Sequence, residues 1–191
     1  MPTEVHSPVA ATAAVPTILV LGFEVTGKTC FVKSLTNQRD ALVMPTIGCA
    51  REHLELDGAT YCVLDHGGQD CMRPHWKRYY AEAAGVVYVV DAETLGSRQL
   101  AEQKQSIAEV AAATSDKPLL LVYNRRPGTK SEPAEAERLL RELDLQRVVG
   151  ERTSAAAEET TCVASERESA VRGFKCLVKM LERHAKRRRK K

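Results

Sequence analysis

The chain has 191 residues, 43% apolar, 28% charged and only 5% aromatic, which suits one compact domain and leaves no length for a second of full size. Its longest apolar run, around Ile18 to Gly22, falls far short of the ~20 residues that a membrane-spanning helix needs, so a soluble or peripheral protein is expected. The formal charge of +3 conceals a segregation. Residues 183–191 hold seven of the 28 Lys and Arg and no acid, while the other 182 residues hold 21 basic against 25 acidic side chains, a net of −4. A mildly acidic body ends in a basic tail.

Residues 1–16 are rich in Ala, Pro, Thr and Val without a helical or alternating period and are expected to form a flexible leader. Thr17 to Leu21 then reads as a buried strand, Gly22 to Gly27 as a glycine-bounded turn, and Lys28 to Gln38 as a helix. Strands are expected over Cys49 to Leu56 and Thr60 to Asp65, joined by the hairpin signal Asp57-Gly58. A short helix from Arg73 to Glu82 and a buried strand from Val86 to Asp91 follow. Ser97 is placed to cap a helix reaching Ala113, Pro118 to Asn124 reads as strand, and Ser131 is placed to cap a helix over Glu132 to Leu143 with Pro133 in its first turn. The last strand is expected at Glu159 to Ala164. Ala170, Phe174, Leu177 and Leu181, spaced 4, 3 and 4, then place an apolar stripe on a final helix. Strands alternating with helices argue for an α/β fold with a mostly parallel sheet covered on both faces and one antiparallel hairpin.

The six cysteines (30, 49, 62, 71, 162 and 176) form no CxxC pair and follow no secretory leader, so they read as reduced thiols of a cytosolic protein. Pro2 follows Met1 and the chain ends Arg189-Lys190-Lys191, which encodes neither N-myristoylation nor a prenylation box.

The chemistry begins at Gly22-Phe23-Glu24-Val25-Thr26-Gly27-Lys28-Thr29, a complete GxxxxGK[ST] match lying between a predicted strand and a predicted helix. Glycines let main-chain N–H groups converge on phosphate oxygens, and the helix N-terminus favours anions. Lys28 neutralises β/γ charge, and Thr29 supplies an oxygen to Mg²⁺. Pro45-Thr46-Ile47-Gly48 follows, with Thr46 18 residues after Lys28, and Asp65-His66-Gly67-Gly68-Gln69 begins 19 residues after Thr46. Taken singly, Thr46 is a turn hydroxyl, Asp65 a strand-end cap and Gln69 a solvated loop residue. Their order and spacing behind a phosphate loop reverse that reading.

These segments, with Arg73-Pro74-His75-Trp76 and Val89-Val90-Asp91, resemble the Arf-like (ADP-ribosylation factor-like) small GTPases over residues 17 to about 182. The resemblance implies a P-loop NTPase fold with a mostly parallel six-stranded sheet and helices on both faces, residues 17–182 forming the domain and 183–191 a basic tail. It implies a nucleotide site built from Glu24, Val25, Thr26, Gly27, Lys28, Thr29 and Cys30, with Thr46 and Gly68 meeting the γ-phosphate. Asn124, Arg125, Val163 and Ala164 would serve the base. Mg²⁺ would be held by Thr29 and Thr46, and by Asp65 through water, and Gln69 would orient the attacking water. The implied activity is a Mg²⁺-dependent GTP/GDP switch with slow GTP hydrolysis, regulating membrane or vesicle traffic. Effectors, exchange factors and activating proteins would engage the switch loops 40–49 and 66–75.

Departures from the family pattern open alternatives. Where the family reads guanine with Asn-Lys-x-Asp, this chain has Asn124-Arg125-Arg126-Pro127. The missing carboxylate would have accepted two hydrogen bonds from the base, each worth ~1.5–3 kcal/mol, so losing even ~3 kcal/mol weakens guanine binding about a hundredfold. A scaffold that keeps the fold but has lost guanine selectivity and turnover is the second reading, and an adenine-using phosphotransferase a weaker third. Glu24, where many relatives have Asp, is placed to crowd the γ-phosphate or an incoming arginine.

Cys62, His66, Cys71 and His75 carry ligand types zinc accepts, but in nonstandard spacing and split between a strand and a loop. The basic tail suits an anionic lipid surface, a nuclear signal, an RNA contact or merely a solvated helix end. It has no stacking aromatics, which argues against sequence-specific nucleic-acid reading. The run Trp76 to Glu82 and the basic extension also resemble the cilium-associated branch of the family, so a peripheral membrane or ciliary location joins the cytosolic expectation.

Overall fold

The computed structural model describes residues 15–38, 44–91, 97–125 and 156–190. The expected Glu132 to Leu143 helix, Pro127, most of the leader and part of the first switch loop lie outside the described residues. Six strands form one sheet in the order β2-β3-β1-β4-β5-β6: β1 (Thr17–Leu21), β2 (Cys49–Leu56), β3 (Ala59–His66), β4 (Ala83–Asp91), β5 (Leu119–Asn124) and β6 (Ala157–Cys162). Among the described residues only β2 and β3 pair antiparallel; β1 pairs in parallel with β3 and β4, β4 with β5, and β5 with β6. The central strands are buried on both faces, which explains their unbroken runs of Val, Leu and Ile.

One face of the sheet packs on α1 (Lys28–Leu35) and α3 (Arg167–Arg188) through Phe31, Val32, Phe174 and Leu177. The other face carries α2 (Ser97–Ala113) and a 3-10 helix (Arg73–Tyr79), through Ile107, Val110 and Trp76. A strand-helix alternation with connections to both faces puts the C-terminal ends of β1, β3, β4, β5 and β6 along one edge, where ligand sites of such sheets form.

The boundaries differ from the expected ones for identifiable reasons. Helix α1 stops at Leu35, not Gln38, because Asn37 turns left-handed at φ 62° and the Arg167 guanidinium takes the carbonyls of Ser34 and Leu35 at 3.0 and 2.6 Å. Pairing with β1 starts β4 at Ala83, ahead of the expected Val86. Strand β6 is displaced two residues toward the N-terminus, since its register against β5 runs Leu119↔Ala157 to Asn124↔Cys162. Val163 and Ala164 therefore belong to the turn beyond the strand. The basic residues 183–188 continue α3 as helix.

Candidate nucleotide site

The phosphate loop leaves the buried end of β1 and is closed on itself by one carbonyl. Phe23 O accepts both the Thr26 hydroxyl at 2.9 Å and the Lys28 ammonium at 2.6 Å. Val25, between them, is 81% exposed and sits at φ 60°, a left-handed conformation that a β-branched side chain adopts only under constraint. Gly27 turns at φ 90°, and a Cβ there would strike the Asn124 side chain. Burial lowers the Lys28 pKa to about 8, with Asp65 and Glu24 opposing the shift. The group thus stays cationic at neutral pH while largely stripped of water, a state that a bound polyanion relieves.

Three sequence-distant residues meet beside it. The Thr29 hydroxyl donates to Asp65 Oδ2 at 2.7 Å, the Thr46 hydroxyl to the same oxygen at 3.3 Å, and the two hydroxyl oxygens are 3.1 Å apart. Burial raises the Asp65 pKa, opposed by the Thr29 hydrogen bond, the Lys28 charge and the Thr46 hydrogen bond. Its other oxygen, Oδ1, is buried without a hydrogen-bond partner. A carboxylate with an orphaned oxygen next to two hydroxyls is a set of hard oxygen donors that fits Mg²⁺ and would be poor for a soft metal.

The second switch segment is fixed against the loop from several sides. Gly68 lies so close that a Cβ on it would come within 2.6 Å of Gly22 and Glu24 backbone atoms, leaving no room for any other residue. Trp76 Nε1 donates to Gly67 O at 3.0 Å, and Arg73, ion-paired with Asp70, lies 4.0 Å over the Phe23 ring. Gln69 is half-buried at the rim, and its main-chain carbonyl takes the amides of Met72 and Arg73. Between these parts is a cleft of about 300 Å³ lined by Glu24, Lys28, Thr29, Cys30, Thr46 and Gln69, among others.

The zinc-type residues are not assembled. His66 is buried edge-on to Tyr79 at 4.3 Å, its pKa lowered to about 4 by burial, and Cys62 accepts a bond from Arg51. Cys71 and His75 are exposed. Among the described residues no group of three metal-ligating side chains of this kind forms a site.

At the base end, Asn124 is the connector. Its Nδ2 donates to Thr26 O at 3.0 Å, and its Oδ1 accepts the Ala164 amide at 2.8 Å. The Val163 amide donates to Ser169 Oγ at 2.9 Å. The Val163 and Ala164 amides, expected to face a base, both donate to protein groups in this geometry. Arg125 is half-buried with its amide on Cys162 O at 2.8 Å. Neither the Arg73–Phe23 contact nor the bond between the Ala164 amide and Asn124 has a local sequence signal, because each joins segments distant in the chain.

Comparison with known proteins follows the same lines. The model of the ADP-ribosylation factor family matches residues 6–181. The chain belongs to that family. Among curated members, ADP-ribosylation factor-like protein 3 of Chlamydomonas reinhardtii is 32% identical over 57% of this chain and 62% of its own length. ADP-ribosylation factor-like protein 1 of Saccharomyces cerevisiae is 32% identical over 67% of this chain and 69% of its own. The match to the first of these Arf-family relatives thus spans under two thirds of that relative's length. A solved structure, the Arl6 BBS3 small GTPase from Trypanosoma brucei with bound nucleotide analogue GppNp, superposes with TM-score 0.74 over 88% of this chain and 98% of that one. At 21% identity it shares the Arf-like chain's fold. No described helix is long and apolar enough to cross a membrane.

Proposed function

We propose that this Arf-family chain is a guanine-nucleotide switch that binds GTP and GDP with Mg²⁺ and hydrolyses GTP slowly. The observation that carries the reading is the meeting of Thr29, Thr46 and Asp65, from three separate segments, on one oxygen beside the buried Lys28. Thr29, Thr46 and, through water, Asp65 would hold Mg²⁺, which would neutralise charge between the terminal phosphates. Lys28 binds the same phosphates. The Gly68 amide would sense the γ-phosphate, a role supported by its close approach to the loop, and Gln69, at the rim of the cleft, would orient the water. Thr46 and Gly68 belong to the two switch segments, so losing the γ-phosphate would release both, and effector, exchange-factor and activating proteins would read the change.

A specific observation favours a second reading, a scaffold with degraded base recognition. Pro127 stands in place of the family's acidic residue, and the Val163 and Ala164 amides are engaged by Ser169 and Asn124. Calorimetric titration with GTP, GDP and ATP in Mg²⁺ separates the two. The switch predicts micromolar or tighter guanine binding with turnover, and no binding to any nucleotide would establish the scaffold. A Pro127→Asp variant is expected to raise guanine affinity about a hundredfold and leave ATP affinity unchanged.

A further inference from the structure

A second cleft, of about 360 Å³, opens on the α2 side of the phosphate loop. Its lining includes Glu24 of the loop, Asp70 and Arg73 of the second switch segment, Asp91 at the end of β4, and Glu102 and Gln103 of α2. The nucleotide cleft is a different space. The two share Glu24, Val25 and Gly68, where the Gly68 backbone is pressed against Phe23 and Glu24 and forms a seam between them, while Lys28, Thr29 and Thr46 border only the nucleotide side. Four carboxylate side chains thus line the second cleft against one guanidinium, that of Arg73, which is paired with Asp70 and lies over the Phe23 ring. Asp91 and Glu102 have interactions of their own within the protein. Gln103 differs from them: it is 3% exposed, yet its side-chain oxygen Oε1 is buried without a hydrogen-bond partner.

We infer that this second cleft binds a guanidinium cation, the head group of an arginine or of a free alkylguanidine. The lining selects the class of ligand. A buried carbonyl without a partner is costly, and a hydrogen-bond donor relieves it. The excess of carboxylates selects a donor that carries positive charge. A metal ion suits the cleft poorly, because among the described residues no three metal-ligating side chains are grouped to hold one. A guanidinium has five N–H donors in one plane, no acceptor and weak hydration, so it can serve an amide oxygen and carboxylates from separate segments together; an ammonium has three donors and holds its water more strongly. The same surroundings already accept one guanidinium, that of Arg73. A second would tie the phosphate loop, the second switch segment and α2 together through Glu24, Asp70 and Gln103.

The test is an NMR titration of the full chain, without added nucleotide, with N-acetyl-arginine amide and with N-acetyl-citrulline amide, whose neutral urea head has nearly the same size. Saturable shifts of the Thr26 and Gln103 amides are expected with the arginine compound, and an affinity roughly tenfold lower or worse for the citrulline compound. Gln103→Leu should weaken arginine binding roughly tenfold without lowering the urea midpoint of the empty protein, because it removes an unsatisfied oxygen and keeps the bulk. Glu102→Gln should weaken binding as well, whereas Glu55→Gln, which removes the same charge from the exposed side of β2, should change it little. Equal affinity for the two compounds, equal losses from Glu102→Gln and Glu55→Gln, or undiminished binding by Gln103→Leu would each overturn the assignment. Absence of saturable binding would mean that the cleft holds only water, and would overturn it too. Agmatine binding more tightly than the arginine amide would assign a free alkylguanidine, and the reverse order a protein side chain. The readout uses no nucleotide, so it succeeds or fails independently of the switch reading.

Discussion

At the phosphate end of the cleft, Lys28, Thr29, Thr46 and Asp65 come from three segments and leave capacity unused: a desolvated ammonium and an orphaned carboxylate oxygen. At the base end, Asn124 brings both of its polar ends to protein partners, Thr26 O and the Ala164 amide, and the neighbouring Val163 amide is engaged by Ser169. At the phosphate end Lys28, Thr29 and Thr46 have protein partners but one buried carboxylate oxygen is left over; at the base end each of these groups is taken. Unsatisfied buried polar groups are costly, and a fold keeps them where a ligand satisfies them. On the switch reading proposed above, phosphate recognition would be the dominant source of affinity, with the base loop acting mainly as a brace.

Four experiments sharpen or break this contrast. The largest effect is expected from Lys28→Ala, which should cost nucleotide affinity a hundredfold or more, roughly 3 kcal/mol of charge-assisted bonding, without destabilising the empty protein. Calorimetry and a urea titration read the two quantities separately, and unchanged affinity would remove Lys28 from the site. Asn124→Ala should do the reverse. It leaves the Thr26 carbonyl and the Ala164 amide unpaired and should lower the stability of the empty protein by ~2–3 kcal/mol. An empty-state stability equal to wild type would mean Asn124 serves the base and not the fold.

The third concerns His66, whose folded pKa of about 4 lies below its ordinary value near 6.5. The unfolded chain binds the extra proton between these values, so stability is full above about pH 6.5 and declines as pH falls toward 4, by roughly 3 kcal/mol. His66→Phe, which keeps a ring against Tyr79, should flatten that part of the urea-midpoint profile; an unaltered slope would place the pH response elsewhere. The smallest effect is expected from Val25→Gly. Relief of the left-handed backbone should stabilise the empty protein by about 1 kcal/mol and raise Tm by ~2–4 °C, and a lowered Tm would mean the valine is held there by contacts stronger than the strain.

Much of this was legible along the chain. The GxxxxGK[ST] match, Pro45-Thr46-Ile47-Gly48 and Asp65-x-Gly67-Gly68-Gln69 marked the phosphate end, because main-chain phosphate binding imposes short, local residue spacings. Strand and helix types followed from apolar periodicity, and α2 has the expected limits, Ser97 to Ala113. The end of α1 was hidden because Arg167, distant in sequence, terminates it. The limits of β6 were hidden because its partner strand sets the register.

Local patterning thus determined the class of fold, the phosphate loop and the charge imbalance of the C-terminus. Tertiary structure alone decided that Thr29 and Thr46 share one oxygen of Asp65 and that the Ala164 amide is engaged by Asn124. The physical reason is the range of the constraint. Backbone torsions and side-chain periodicity act over a few residues, whereas hydrogen-bond satisfaction in a buried site is met only after distant segments have packed.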